Sequence, residues 1–278
     1  MSNNMHWTTR QLDYEPPEVD TSSAQSARVY DYLLGGKDNY PLDREAAEGL
    51  IKKMPGARVN VQQNRLFLAR AARYLAAEEG VSQFLDIGAG IPTSPNLHEV
   101  TQQVNPAARV VYVDNDPIVA AHMGARMVST PTGQVGYLRA DLRDPAGILT
   151  APGVTSTLDL SRPLALLFLC SLAQAAAVDE VPALVRRYLA ALAPGSFLVL
   201  SMADHFPDPD GDKQIVATAA AYGLRVSPWS HDQVLALFGG LDLVEPGLVL
   251  VHQWRPDAAD GPADYPEVGI LGGVARVP

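Results

Sequence analysis

Apolar residues follow two regimes along the chain. Up to about residue 80 they recur at helical spacing, and beyond it short apolar runs alternate with helical stretches. Residues 1–21 are polar, contain Pro16-Pro17 and predict a flexible arm. Ser22 or Ser23 is placed to cap a short helix running to about Leu34, where Gly35 supplies a left-handed stop. Helical patterns follow at 42–54 and 61–79, the second with Val61, Leu68, Ala71, Ala72 and Leu75 on one face. Residues 22–80 thus predict an N-terminal helical cap.

From residue 81 onward, apolar runs at 83–87, 110–113, 135–140, 164–170 and 197–202 read as strands. Leu97, Val100 and Val104 stripe the helix after the first, and Asp116-Pro117 opens the helix after the second. The run 164–170 has no polar alternation, as expected of a parallel strand covered by helices on both faces. Leu184, Val185, Tyr188, Leu189 and Leu192 mark a helix over 179–193. Ser230 and Gln233 form a capping box for a helix ending at Gly239. Strands at 241–245 and 249–254, joined by Pro246-Gly247, predict a closing hairpin and an antiparallel last pairing. The pattern is an α/β fold: a doubly wound, mostly parallel, seven-stranded Rossmann-like sheet with a helical cap.

Composition narrows the function classes. The 278 residues suit one domain plus an extension. A net charge of −10 repels polyanions, so no nucleic-acid partner is expected. The single Cys170 excludes an internal disulfide and any multi-cysteine metal site. Residues 1–20 show no signal pattern, and the apolar stretch 164–178 is broken by Ser171 and Gln174, short of the roughly 20 residues of a span. A soluble, cytoplasmic protein without membrane partners is expected; the pattern leaves its oligomeric state open.

The most informative segment is Phe84-Leu-Asp86-Ile-Gly88-Ala89-Gly90-Ile-Pro-Thr93, a strand feeding a glycine turn where a ligand can approach bare backbone. The third glycine of a dinucleotide fingerprint would fall at Thr93. Asp86, two residues before the first glycine, suits an ammonium group better than a pyrophosphate. That pairing favours S-adenosylmethionine (SAM) over NAD. Asp114, beside Asn115 at the tip of the second strand, is placed to accept both ribose hydroxyls, while Asp116 caps the next helix. Asp141 after the third strand is placed for the adenine amino group and the Leu142 amide for a ring nitrogen, with Asp144 a cap before Pro145.

These segments resemble the class I SAM-dependent methyltransferases. The stretch Ala27-Arg28-Val29-Tyr30-Asp31-Tyr32-Leu33-Leu34-Gly35-Gly36-Lys37-Asp38-Asn39-Tyr40 is similar to the signature arm of a bacterial methyltransferase family formerly known as a domain of unknown function. Asn64-Arg65, His98-Glu99-Val100 and Val244-Glu245-Pro246-Gly247-Leu248 also match its pattern. The resemblance spans the chain from about Thr21. It implies a SAM-binding domain over 81–278 and methyl transfer to a small-molecule acceptor, without naming that acceptor. Related chains often carry a His pair where this one has Ala173-Gln174.

Methyl transfer needs alignment of acceptor and methyl more than a fixed catalytic group. Residues 28–40 are expected to serve as a lid, with Tyr30, Tyr32 and Tyr40 facing the cofactor, or as a staple joining the first helix to the core. Arg28 or Arg65 is a candidate clamp for the methionine carboxylate, although each taken singly reads as a solvated helix position. Cys170, at the end of the fourth strand, is counted among the cofactor's neighbours and packs as a small hydrophobe. On the acceptor side lie Ser171, Asp204 and His205; His205 and Tyr30 are the candidate catalytic groups. Two rival readings stand beside this one: a SAM-binding module without turnover, and a nicotinamide-dependent oxidoreductase. No Walker loop, nucleophile elbow or complete H-E-x-x-H motif occurs, and no metal is expected.

Overall fold

The computed structural model describes residues 19–126, 128–175, 177–205, 209–257 and 265–278. Most of the expected N-terminal arm therefore lies outside the described residues. Three helices lead the chain: α1 (Ser26–Leu33), α2 (Pro41–Lys53) and α3 (Ala57–Ala77). Then β1 (Gln83–Ile87), α4 (Leu97–Val104), β2 (Arg109–Asp114), α5 (Pro117–Arg126) and β3 (Gln134–Arg139) follow in alternation. Two short helices, α6 (Pro145–Thr150) and α7 (Pro152–Thr155), precede β4 (Ala165–Leu169). Next come α8 (Leu172–Ala175), α9 (Val181–Leu189), β5 (Phe197–Ala203), α10 (Pro209–Ala221) and α11 (His231–Ala236). The two-residue strands β6 (Asp242–Leu243) and β7 (Val249–Leu250) and the long β8 (Ile270–Arg276) finish the chain.

The sheet runs β3-β2-β1-β4-β5-β8-β6, with β7 also on β8. Strands β1 to β5 are parallel and β8 is antiparallel to all its partners. Successive residues of the apolar runs enter different cores, as the two-residue strand period dictates. Leu85, Ile87, Val111, Val113, Leu166 and Phe168 pack under α6, α7, α9 and α11. Phe84, Val110, Tyr112, Ala165 and Leu167 pack under α3, α4 and α5. A satellite cluster joins Val29 and Leu33 of α1, Ala46, Ala47 and Leu50 of α2, and Ile215 and Ala219 of α10.

Three expectations are corrected. The closing hairpin is absent: β6 and β7 do not pair with each other but each with β8, which the apolar pattern did not predict. Gly272-Gly273 broke that pattern, yet both glycines are close-packing positions. A Cβ on Gly272 would stand 2.7 Å from Val251 and 3.1 Å from the Phe67 ring, and one on Gly273 would stand 3.1 Å from Phe238. The expected second strand of the hairpin turns into a 3₁₀ helix at Val251–Gln253 after two residues.

Neither Ser22 nor Ser23 caps α1. Ser22 bonds Asp20 instead, and the half-buried amide of Gln25 donates to the Asp43 carboxylate of α2 at 2.9 Å. A distant carboxylate thus satisfies what a local hydroxyl was expected to satisfy. The helix α10 went unpredicted because its apolar positions face only the small satellite cluster. By contrast the Ser230–Gln233 capping box forms as read, and Gly35 is left-handed at φ +86°. Among the described residues no helix is long and apolar enough to cross a membrane.

Candidate functional site

The parallel strands deliver their C-terminal ends to one edge of the sheet, where ligands bind in open α/β folds. A cleft of about 430 Å³ opens there. It is lined by the turn 88–91 after β1, the tip of β2, the loop 140–143 after β3 and residues of α1. Asn64 and Arg65 of α3, Leu169 at the end of β4 with Cys170 and Ser171 after it, and the loop 223–225 after α10 also line it. The strand ends therefore bring Asp86, Gly88, Ala89, Gly90, Asp114, Asn115, Asp141, Leu142 and Cys170 to one cleft, and α1 adds Tyr30. His205 is not among the lining residues; it is exposed, with Nδ1 2.6 Å from the Asp212 carboxylate.

The glycine turn is held by its neighbours. Gly88 and Gly90 have φ of +77° and +69°, a region L side chains rarely adopt. The amides of Gly88 and Ala89 donate to the Val113 carbonyl at 2.8 and 3.1 Å. A Cβ on Gly88 would meet the Ser171 Cβ at 2.3 Å, whereas one on Gly90 would point into open space. The Ser171 hydroxyl in turn donates to the Ile87 carbonyl at 2.8 Å, joining the ends of β1 and β4.

Asp86 is 4% exposed and lines the cleft; its backbone pairs with β2 and β4, but its carboxylate accepts no hydrogen bond from the described residues. Burial pushes its pKa up to about 7, opposed by the Arg65 charge and assisted by Asp114. Arg65 itself donates to the Thr93 and Pro95 carbonyls at 2.6 and 2.9 Å, fastening the far side of the turn. It is a cleft-lining residue, not a solvated helix position.

Asp114 accepts the Gly90 amide on one oxygen at 2.8 Å and the Asp116 amide on the other at 2.9 Å. Burial raises its pKa, the backbone amides lower it and the Asp116 charge raises it again. Asp116 caps α5 as read, accepting the Ile118 amide at 2.9 Å. It also receives a two-pronged guanidinium contact from Arg28, both prongs at 3.1 Å. Arg28 is 1% exposed, so the expectation of a solvated position is overturned: the helix face it occupies packs on the β2 tip.

Asp141 is gripped by the Arg143 side chain, whose hydrogen bonds hold its carboxylate below the usual range. The Leu142 carbonyl accepts the Tyr188 hydroxyl at 2.8 Å, fixing the loop. Cys170 sits at φ +55°, and burial lifts its thiol to about 11. Its sulfur lies 3.6 Å from both Ser201 Oγ and Asn64 Nδ2. Asn64 accepts the Ser201 hydroxyl at 2.8 Å and donates to Tyr30 Oη at 3.1 Å, and Tyr30 donates to the Val61 carbonyl. Burial raises the Tyr30 pKa.

The lid and staple readings divide by residue. Tyr30 faces the cleft; Tyr32 bonds Glu48 at 2.7 Å and lies under Arg58; Tyr40 lies beside Arg28. Gly36 is no free hinge, because the Asp31 carboxylate occupies the space of its missing side chain and binds the Asp38 amide and Asn39. Residue-by-residue reading missed the lining residue Asn64 and, buried behind it, Ser201, and it gave Arg28 a ligand where the structure gives it Asp116. Only the similarity of Asn64-Arg65 to a known family's pattern pointed to Asn64.

A family model described as S-adenosyl methyltransferase matches residues 13–278. The chain is 45% identical to a DUF574 family protein from Streptomyces avermitilis MA-4680, with a TM-score of 0.89 over 94% of this chain and 100% of that one. It is 39% identical to a provisionally assigned methyltransferase from Thermobifida fusca YX, with a TM-score of 0.83 over 96% and 99% of the two chains. No curated protein matches.

Proposed function

The chain belongs to the S-adenosyl methyltransferase family, and from that membership we propose that it moves the methyl group of SAM onto a small-molecule acceptor. The observation that carries the site assignment is Asp86, a buried carboxylate in the cleft with no hydrogen-bonding partner among the described residues. An ammonium group would supply both the missing charge and the missing donors. The open space beside Gly90 fits the close approach of the same ligand.

In this reading Asp86 and Arg65 hold the amino and carboxylate ends of the methionine moiety. Asp114 keeps lone pairs for the ribose hydroxyls, and Asp141 with the Leu142 amide meets the adenine edge. SAM, when bound, supplies a methyl group already activated on a positive sulfur. The chain's own task is to align an acceptor and exclude water.

The acceptor enters beside Cys170, Gln174 and the loop 223–225, beyond the ends of β4 and β5. Tyr30 and Cys170 keep their protons at neutral pH, so they wall the acceptor rather than deprotonate it. Tyr30, anchored on Asn64 and Val61, and Leu34 shield that side from solvent.

Titration with S-adenosylhomocysteine (SAH), followed by methyl-labelled SAM offered with amines, phenols, carboxylates and thiols, tests the assignment. Saturable SAH binding and acceptor-dependent label transfer are expected. Binding without transfer to any class would leave a SAM-binding module in its place.

A further inference from the structure

We propose that Arg28 is a positioning residue: it latches α1 over the cleft and braces the β2 tip, so that it slows cofactor release. The inference rests on the reading of this cleft as the SAM site. Arg28 Nε and Nη2 each lie 3.1 Å from one Asp116 oxygen, and Nη1 donates to the Asp20 carbonyl at 2.7 Å. Its guanidinium stands 5.4 Å from the Tyr40 ring centre. From Asp116 the bonds continue inward. The Asp116 amide donates to Asp114, and the other Asp114 oxygen accepts the Gly90 amide. Four residues thus link the N-terminal helix to the glycine turn.

The geometry gives this chain a consequence for the ligand. Ala27 and Tyr30 of α1 and Leu34 just after it line the same cleft as Gly90 and Asp114. A ligand seated there can touch both elements that the Arg28–Asp116 pair joins, so holding them together should slow its departure. The pair is buried on both sides, where charges depend on each other and a planar fork cannot be replaced by a lysine point charge.

Rapid-mixing displacement of SAH, with amide hydrogen exchange of residues 26–34, tests the latch. In the wild-type chain SAH is expected to slow exchange across α1. For Arg28→Lys we expect SAH still to bind, with dissociation faster by about tenfold and association little changed. SAH then no longer slows exchange in α1. Arg58→Ala is the comparison, because Arg58 donates to the Tyr32 and Leu33 carbonyls at the other end of α1. It is expected to keep the slow dissociation; an equal acceleration would reduce Arg28 to a general support of the helix and overturn the proposal. If Arg28→Lys does not fold, Arg28→Met combined with Asp116→Asn removes both charges together and takes the same measurements. Unchanged dissociation with preserved slowing of exchange also overturns the latch and leaves the cleft assignment standing. A wild-type chain that does not bind SAH removes that assignment, and the latch with it.

Discussion

Asp114 at the end of β2 holds Gly90 in the turn after β1 through a 2.8 Å hydrogen bond to its amide. One carboxylate therefore shapes the turn and offers its remaining lone pairs to the same cleft. Acids at strand tips are usually read for what they do to a ligand; this one also holds the shape of the cleft itself.

Replacing Asp114 by Asn leaves one oxygen acceptor where two are used. SAH affinity is expected to fall about tenfold or more, corresponding to the loss of one charge-assisted hydrogen bond. Calorimetric titration measures it, and circular dichroism should show an unchanged fold. Wild-type affinity in this variant would remove Asp114 from the ribose position.

If Asp86 holds the ammonium group as proposed, binding should depend on pH. With its pKa near 7 in the free protein, a cation must displace a proton to bind below that value. The dissociation constant for SAH should rise up to about tenfold for each pH unit below 7. In Asp86→Asn the binding is weaker and this slope disappears. A flat profile in the wild-type chain would place the ammonium group elsewhere.

The same residue costs the free protein stability. A carboxylate whose pKa is raised by folding keeps its proton more firmly in the folded state. Stability therefore falls as pH rises from about 4 to 7 and stays lower above. Without ligand, Asp86→Asn should melt above the wild type at pH 8, and the gap should close toward pH 4. Thermal melts at the two pH values check the sign.

The two turn glycines should separate stability from binding. Gly88→Ala drives a Cβ into Ser171 and is expected to lower the melting temperature strongly. Gly90→Ala meets open space, so it carries only the left-handed strain of about 1–2 kcal/mol while blocking the ligand's approach. Its melt should shift modestly and its SAH binding should be lost. Equal melting shifts in the two variants would contradict this division.

At the closing strand, Gly272→Ala presses on Val251 and Phe67. A loss of about 1–3 kcal/mol is expected from chemical denaturation, with SAH affinity unchanged in the folded fraction.

The alternation of apolar runs and helical stripes determined the parallel sheet, since residues buried on both faces must be apolar throughout. The turn Asp86–Gly90, the acids at the strand tips and the Ser230 capping box were legible for the same reason: each is a local constraint written within a few residues. Where the sequence also resembled a known arm, it marked residues 27–40 without saying what they touch. Contacts between distant segments decided the rest. Asp43 reaches back to the start of α1, Arg28 finds Asp116 across 88 residues, and Gly272 accepts Phe67 and Val251 against a strand that no alternation announced. A polar residue's partner is chosen by packing, and packing depends on which surfaces the whole chain brings together.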